Sequence, residues 1–215
     1  MSVRFWHIFA KITGWPIKQV VFRTKILYED REVQSRKIKG AAIVICNHTS
    51  VFDFALLLFV FFGRTLRCQM AELLFRKKPL GWLLRRLGGI RVDRTGHDFG
   101  FLRTSEDILR RGGVVLIFPE SRLPLSQEAR PLPFKPSAAY LALATGVPVI
   151  PVYTNGQYFN LRRRAAVIIG KPIDPREYAD EGLTERERIE RLSCAMRERV
   201  IELGKLLDER YGKKK

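Results

Sequence analysis

The chain has 215 residues, with 39 Lys+Arg against 22 Asp+Glu and a formal net charge of +17. That length suits one domain or a domain with a small appendage, and the 46% hydrophobic content excludes a disordered basic tail. The excess charge calls for a polyanionic neighbour: nucleic acid, an anionic membrane surface or phosphorylated substrates.

The N-terminal stretch, Met1 to Leu27, mixes apolar and basic residues throughout. Phe5, Trp6, Phe9, Ile12, Trp15 and Ile17 supply apolar mass, and Arg4, Lys11, Lys18, Arg23 and Lys25 supply charge. This pattern predicts a basic amphipathic helical segment able to lie in a headgroup layer, broken in two at Gly14 and Pro16. Its other side is expected to pack on the main domain. No secretory signal is expected, and no uncharged run here reaches the roughly 20 residues of a spanning helix.

Ala41–Cys46 is a near-continuous apolar run and predicts a strand buried on both faces. It leads straight into Asn47-His48-Thr49-Ser50-Val51-Phe52-Asp53, and then a helix over 52–62. Phe54–Gly63 is intensely apolar but only ten residues long, which favours a buried or interfacial segment over a transmembrane one. A His at a strand end and an Asp at a helix start can meet across such a turn. The carboxylate would then hold one imidazole nitrogen and leave the other as a base. Taken alone, Asp53 could equally cap the helix, leaving His48 merely polar.

Gly88-Gly89-Ile90-Arg91-Val92-Asp93-Arg94 reads as a turn and a short strand carrying arginines that suit phosphate oxygens, or as an exposed edge strand. A helix over 98–111 is stopped by Gly112-Gly113, and strand 114–118 follows. That strand ends in Phe118-Pro119-Glu120-Ser121-Arg122, and ligand sites of α/β sheets gather at strand carboxyl ends. A helix over 137–145, ended by Gly146, precedes strands at 149–153 and 165–169. Glu185-Arg186-Glu187-Arg188 predicts a salt-bridged, solvated C-terminal helix. Cys46, Cys68 and Cys194 form no CxxC pair and read as buried small apolar residues in a reducing compartment. The fold class expected is α/β: a mixed, largely parallel sheet covered by helices, with the N-terminal helical segment attached.

Together four of these segments resemble the glycerolipid acyltransferase family, best known through the 1-acylglycerol-3-phosphate acyltransferases. The family's NH-x4-D block matches Asn47 to Asp53, and its G-x-I-x-V-D-R block matches Gly88 to Arg94. Its F-P-E-G-T-R block matches Phe118 to Arg122 imperfectly, and its V-P-hydrophobic-P block matches Val147 to Val152. Phe134-Lys135-Pro136-Ser137-Ala138 resembles the family's F-K-x-G-A segment. Ser121 stands where the family has Gly, Arg122 where Thr is usual, and Leu123 at the common arginine.

The resemblance implies an O-acyltransferase in phospholipid biosynthesis. His48, oriented by Asp53, would deprotonate the free hydroxyl of a lysophospholipid, 1-acylglycerol-3-phosphate being the first candidate and another lysophospholipid the alternative. Glu120 would position the acceptor, while Arg94, Arg122 and Lys135 would meet its phosphate. It implies no metal and no cofactor: an acyl-CoA or acyl carrier protein thioester serves as co-substrate. Residues 1–38 are then a membrane-associating segment and 39–215 the acyltransferase domain with its C-terminal helix. The partners implied are an anionic membrane surface at the cytoplasmic face, the lysophospholipid and the thioester donor. Nucleic acid is not expected, since no recognition-helix pattern or aromatic stacking signature is present.

Overall fold

The computed structural model describes residues 2–93, 98–125, 127–128, 130–160 and 163–212. The core is a sheet built around β2 (Ala42–Cys46), every residue of which is buried. β2 pairs in parallel with β5 (Val114–Ile117) on one side and β6 (Val149–Thr154) on the other. β3 (Leu66–Ala71) and β4 (Ile90–Val92) extend the β5 side, both in parallel. On the far side β7 (Ala166–Ile169) pairs antiparallel with β6 and parallel with β1 (Lys25–Tyr28). The order is β1-β7-β6-β2-β5-β3-β4, a mixed and largely parallel sheet as expected.

Alternation along β2 divides the core. Val44 and Cys46 pack with Leu56, Leu57 and Phe61 of the segment that follows, chiefly α3 (Asp53–Val60). Ile43 and Ile45 face the opposite layer, with α6 (Gly100–Arg110), α7 (Ser137–Thr145) and α8 (Glu185–Leu207). Both faces of the strand are therefore covered, which is why its sequence is continuous rather than alternating.

α8 begins in a capping box between Thr184 and Glu187, and the predicted salt bridging takes the form of an Arg186–Glu190 pair at 2.9 Å. It is not simply solvated, however. Leu192, Met196, Val200, Leu203 and Leu207 form a buried stripe at helical spacing, so the charged residues are one face of an amphipathic helix. Cys46 and Cys68 are buried as expected, whereas Cys194 lies exposed on α8. β1 draws part of the 1–38 segment into the sheet.

The N-terminal segment forms α1 (Val3–Thr13) and α2 (Trp15–Val21), separated at Gly14. A Cβ at Gly14 would lie 2.7 Å from the Ala10 carbonyl oxygen and 2.8 Å from the Phe59 ring, so the joint presses directly on α3. Lys11 points inward rather than toward a membrane. Its Nζ donates to the carbonyls of Phe62 (2.8 Å) and Arg64 (2.7 Å), just past the end of α3. A lysine suits that place because carbonyls at a helix C-terminus lack partners and carry the negative end of the dipole. α5 (Leu80–Arg86) borders α1, with Trp6 edge-on to Trp82 at 5.1 Å. Among the described residues, no helix is long and apolar enough to cross a membrane.

Candidate active site

Three neighbouring parallel strands, β6, β2 and β5, end on the same edge of the sheet. Asn47–Asp53 follows β2 there and Phe118–Arg122 follows β5, whereas Val147–Val152 leads into β6 and Gly88 onward leads into β4. Asn47 extends the β2–β6 ladder through its side chain. Its Nδ2 donates to the Thr154 carbonyl at 2.9 Å and its Oδ1 accepts from the Thr154 N–H at 2.8 Å. This two-way clamp fixes the backbone where His48 begins the turn.

His48 and Asp53 meet as expected. Nδ1 of His48 lies 2.8 Å from Oδ2 of Asp53, which also accepts the N–H groups of Thr49 (2.7 Å) and Ser50 (2.9 Å). Oδ1 accepts from Thr49 Oγ1 at 2.9 Å and from the Tyr158 hydroxyl. Asp53 is completely buried at the start of α3, yet five donors satisfy it. Asp53 is the first residue of α3 and accepts from the turn before it, not from the helix N–H groups. Its carboxylate therefore orients the imidazole rather than capping the helix, while its charge suits the helix N-terminus. The His48 ring stacks on Phe118 at 4.5 Å and keeps 19% of its side chain exposed. Among the described residues, no group hydrogen-bonds its Nε2, which leaves that nitrogen available to a substrate proton.

Glu120 is buried at the end of β5. Its Oε1 accepts the His48 N–H at 2.7 Å and its Oε2 the Leu132 N–H at 2.8 Å. Burial pushes its carboxyl above the usual range, and these two backbone donors partly offset that. Glu120 therefore braces the turn at His48, with both oxygens occupied. Arg122 is exposed, its two Nη atoms gripping Glu128 at 2.7 and 2.5 Å. Lys135 is tied to the same segment by its backbone N–H, 2.8 Å from the Pro119 carbonyl, and its side chain is exposed. Arg94 lies outside the described residues. Cys46 and Cys68 are fully buried and burial pushes their thiols up, so neither is a nucleophile. Among the described residues, no cluster of side chains has metal-ligand geometry.

The Ser121 departure has a physical cost. Its φ is +59°, the left-handed region that a glycine enters freely. Ser121→Gly is expected to raise stability by about 0.5–1 kcal/mol. Chemical denaturation of the two proteins checks this, and an unchanged or lower midpoint contradicts it.

The sequence alone points to neither Tyr158 nor Thr49 as a partner of Asp53. Thr49 lies inside a recognised block, but Tyr158 is 105 residues from Asp53 and sits in no pattern. The nearest signal is Asn155-Gly156, a turn dipeptide after β6. Gly156 has φ +66°, and a Cβ there would lie 2.6 Å from Thr49 Oγ1. Only glycine lets this loop close onto the dyad.

The acyltransferase family model matches residues 25–155, from β1 through the end of β6. The 1-acyl-sn-glycerol-3-phosphate acyltransferase of Escherichia coli (strain K12) is 28% identical over 214 residues, spanning 96% of this chain and 82% of its own. That of Bacillus subtilis (strain 168) is 23% identical over 171 residues, 78% and 83% of the two chains. The human beta form is 26% identical over 159 residues, and the match takes in 56% of its length. The crystal structure of the 1-acyl-sn-glycerophosphate acyltransferase from Thermotoga maritima shares the fold, with a TM-score of 0.60 over 91% of this chain and 78% of that one, at 24% identity. The matched span holds β2, β5 and β6, whose ends carry His48, Asp53 and Glu120, and by it this chain belongs to the acyltransferase family.

Proposed function

We propose that the protein transfers a fatty acyl group from a thioester to the free hydroxyl of a lysophospholipid, 1-acylglycerol-3-phosphate first, at an anionic membrane surface. The observation that carries this is the His48–Asp53 pair at 2.8 Å, with no hydrogen bond to Nε2 among the described residues. Nε2 takes the hydroxyl proton as the oxygen attacks the thioester carbonyl. The new C–O bond forms, the C–S bond breaks, and the imidazolium returns the proton to the departing thiolate. No covalent acyl-enzyme enters this scheme, and the thioester, from acyl-CoA or acyl carrier protein, is the co-substrate. Relatives named 1-acyl-sn-glycerol-3-phosphate acyltransferases support the acceptor.

Glu120 contributes by fixing the His48 backbone, with any contact to the acceptor made from that braced position. Lys135 and Arg94 remain the cations for the phosphate. Arg122 joins them only when its pair with Glu128 opens. This engagement, with the Ser121-Arg122-Leu123 sequence, is the specific observation favouring a second reading, an acceptor with a different head group.

Membrane association is supported by the outer face of the 1–38 segment. Ile8, Phe9, Ile12, Trp15, Ile17 and Val20 are exposed there, and Trp82 extends the surface from α5. Basic groups lie against this surface: Lys18 sits 4.8 Å from the Trp15 ring, and Arg86 5.4 Å from both the Trp6 and Trp82 rings. Peripheral attachment through α1 and α2, at the cytoplasmic face, is the arrangement proposed; β1 already belongs to the sheet of the acyltransferase domain.

The test presents a panel of lysolipids in phosphatidylglycerol-containing vesicles with labelled acyl-CoA or acyl carrier protein donors. The expected result is an acylated product from 1-acylglycerol-3-phosphate, identified by mass, with the protein floating with vesicles and released by salt. Preference for another lysophospholipid selects the second reading. Consumption of no lysolipid overturns both.

A further inference from the structure

We infer that Tyr158 is a positioning residue for the His48–Asp53 dyad, reaching it from the loop after β6 and pinned there by the N-terminal arm. This rests on the reading of His48 as the general base. Of the five donors to Asp53, four come from His48, Thr49 and Ser50, adjoining in sequence. The Tyr158 hydroxyl is the donor from elsewhere, and it binds Oδ1, the oxygen that does not hold His48. Thr49 Oγ1 holds the same oxygen, but from within the turn that moves with His48, so the phenol is the hold on Oδ1 that comes from a separate element. It resists pivoting of the carboxylate about its Cβ–Cγ bond and keeps the Oδ2 lone pair aimed at Nδ1.

Three contacts hold the phenol in place. Its ring meets Phe22 edge-on at 5.4 Å. The next residue donates its N–H to the Val21 carbonyl at 3.1 Å, with Phe159 in the left-handed region at φ +56°. The glycine turn at Gly156 lets the loop lie against Thr49. Phe159 and Phe22 also line an apolar groove of about 350 Å³ with Ile17, Val21, Phe52 and Ala55. One loop therefore touches both the catalytic carboxylate and the arm proposed to meet lipid. A phenol serves here because it donates a proton without adding charge. Burial and the Asp53 charge push its pKa up, so it remains a donor throughout the assay range. The titratable groups facing Asp53 are His48, Tyr158, Cys46 and Cys68, with Glu120 on the far side of His48.

The experiment compares the parent, Tyr158→Phe and His48→Ala in the lysolipid assay across pH. The Tyr158→Phe variant keeps the ring and its contact with Phe22. It is expected to lose about 10-fold in kcat, with KM for donor and acceptor within twofold. The Asp53 carboxylate, with one donor fewer, favours imidazolium more strongly. The acidic limb of the pH–rate profile therefore moves up by about half a pH unit. A merely structural role would lower thermal stability and leave that limb in place. If His48→Ala is inactive while Tyr158→Phe keeps the parent kcat and limb, the assignment of Tyr158 falls and the dyad stands. If Tyr158→Phe raises both KM values with kcat kept, the assignment also falls. If His48→Ala retains turnover, the dyad reading fails and this one with it.

Discussion

His48→Ala is expected to lower kcat for acyl transfer by roughly 10²–10⁴-fold, a barrier increase of about 3–5 kcal/mol. The fold has little reason to suffer. The turn is held by Asn47 on Thr154, by Glu120 on the His48 N–H, and by Asp53 on Thr49 and Ser50, and none of these contacts uses the imidazole. The ring is partly exposed against Phe118, so its loss opens surface rather than a sealed cavity. Substrate KM values are expected to stay within a few-fold, because the proton is taken in the transition state and not on binding. Asp53→Asn would be a poorer test. Its amide nitrogen, a donor, would have to face backbone N–H groups or hydroxyls that now donate to a carboxylate, at a cost of about 1–3 kcal/mol per mismatched group. Its inactivity would then mix chemistry with misfolding. Assay of purified, folded His48→Ala decides the matter, and substantial remaining turnover removes the dyad from the mechanism.

The dyad was legible because its members lie five residues apart across a strand-to-helix turn, where local sequence fixes geometry. The central strands were legible for a similar reason, since double burial writes a continuous apolar run. β3 escaped notice because it carries Arg67 and Gln69 within a buried sheet. Those polar side chains are satisfied by Gly88 O at 2.6 Å and Ser105 Oγ at 3.0 Å, partners that 67–69 alone do not reveal. β1 is four residues at a sheet edge, too short for periodicity to speak. Lys11 was misplaced for the converse reason. In a basic amphipathic segment a lysine reads as solvent-facing, yet the carbonyls that draw it inward belong to residues 61–64. Tyr158 stands furthest from sequence inference, since only the closed β6 loop brings it to Asp53.

The anchoring of that arm has a pH signature, carried by His7. His7 is 1% exposed within α1, and its Nε2 lies 2.9 Å from the Leu87 carbonyl. A carbonyl accepts, so Nε2 carries the proton. Nδ1 is buried without a partner among the described residues, which fixes the ring as neutral. Burial draws its pKa from 6.5 down to about 4, and the charges of Lys11 and Arg67 push the same way. Between those values the unfolded chain takes up a proton and the folded chain does not. Stability from this group is therefore fully present above pH 6.5 and drains away as pH falls toward 4. The loss between pH 7 and pH 4.5 is on the order of 2–3 kcal/mol, a large share of a typical 5–15 kcal/mol. Glu120, whose carboxyl is raised, works in the opposite sense, so the group must be isolated by difference. His7→Gln places an amide nitrogen near the position of Nε2 and does not titrate. Denaturant unfolding at pH 7 and 4.5 is expected to show the parent losing about 2–3 kcal/mol more than His7→Gln. Equal losses in the two proteins would mean that the arm is latched to the domain by contacts indifferent to the charge on His7.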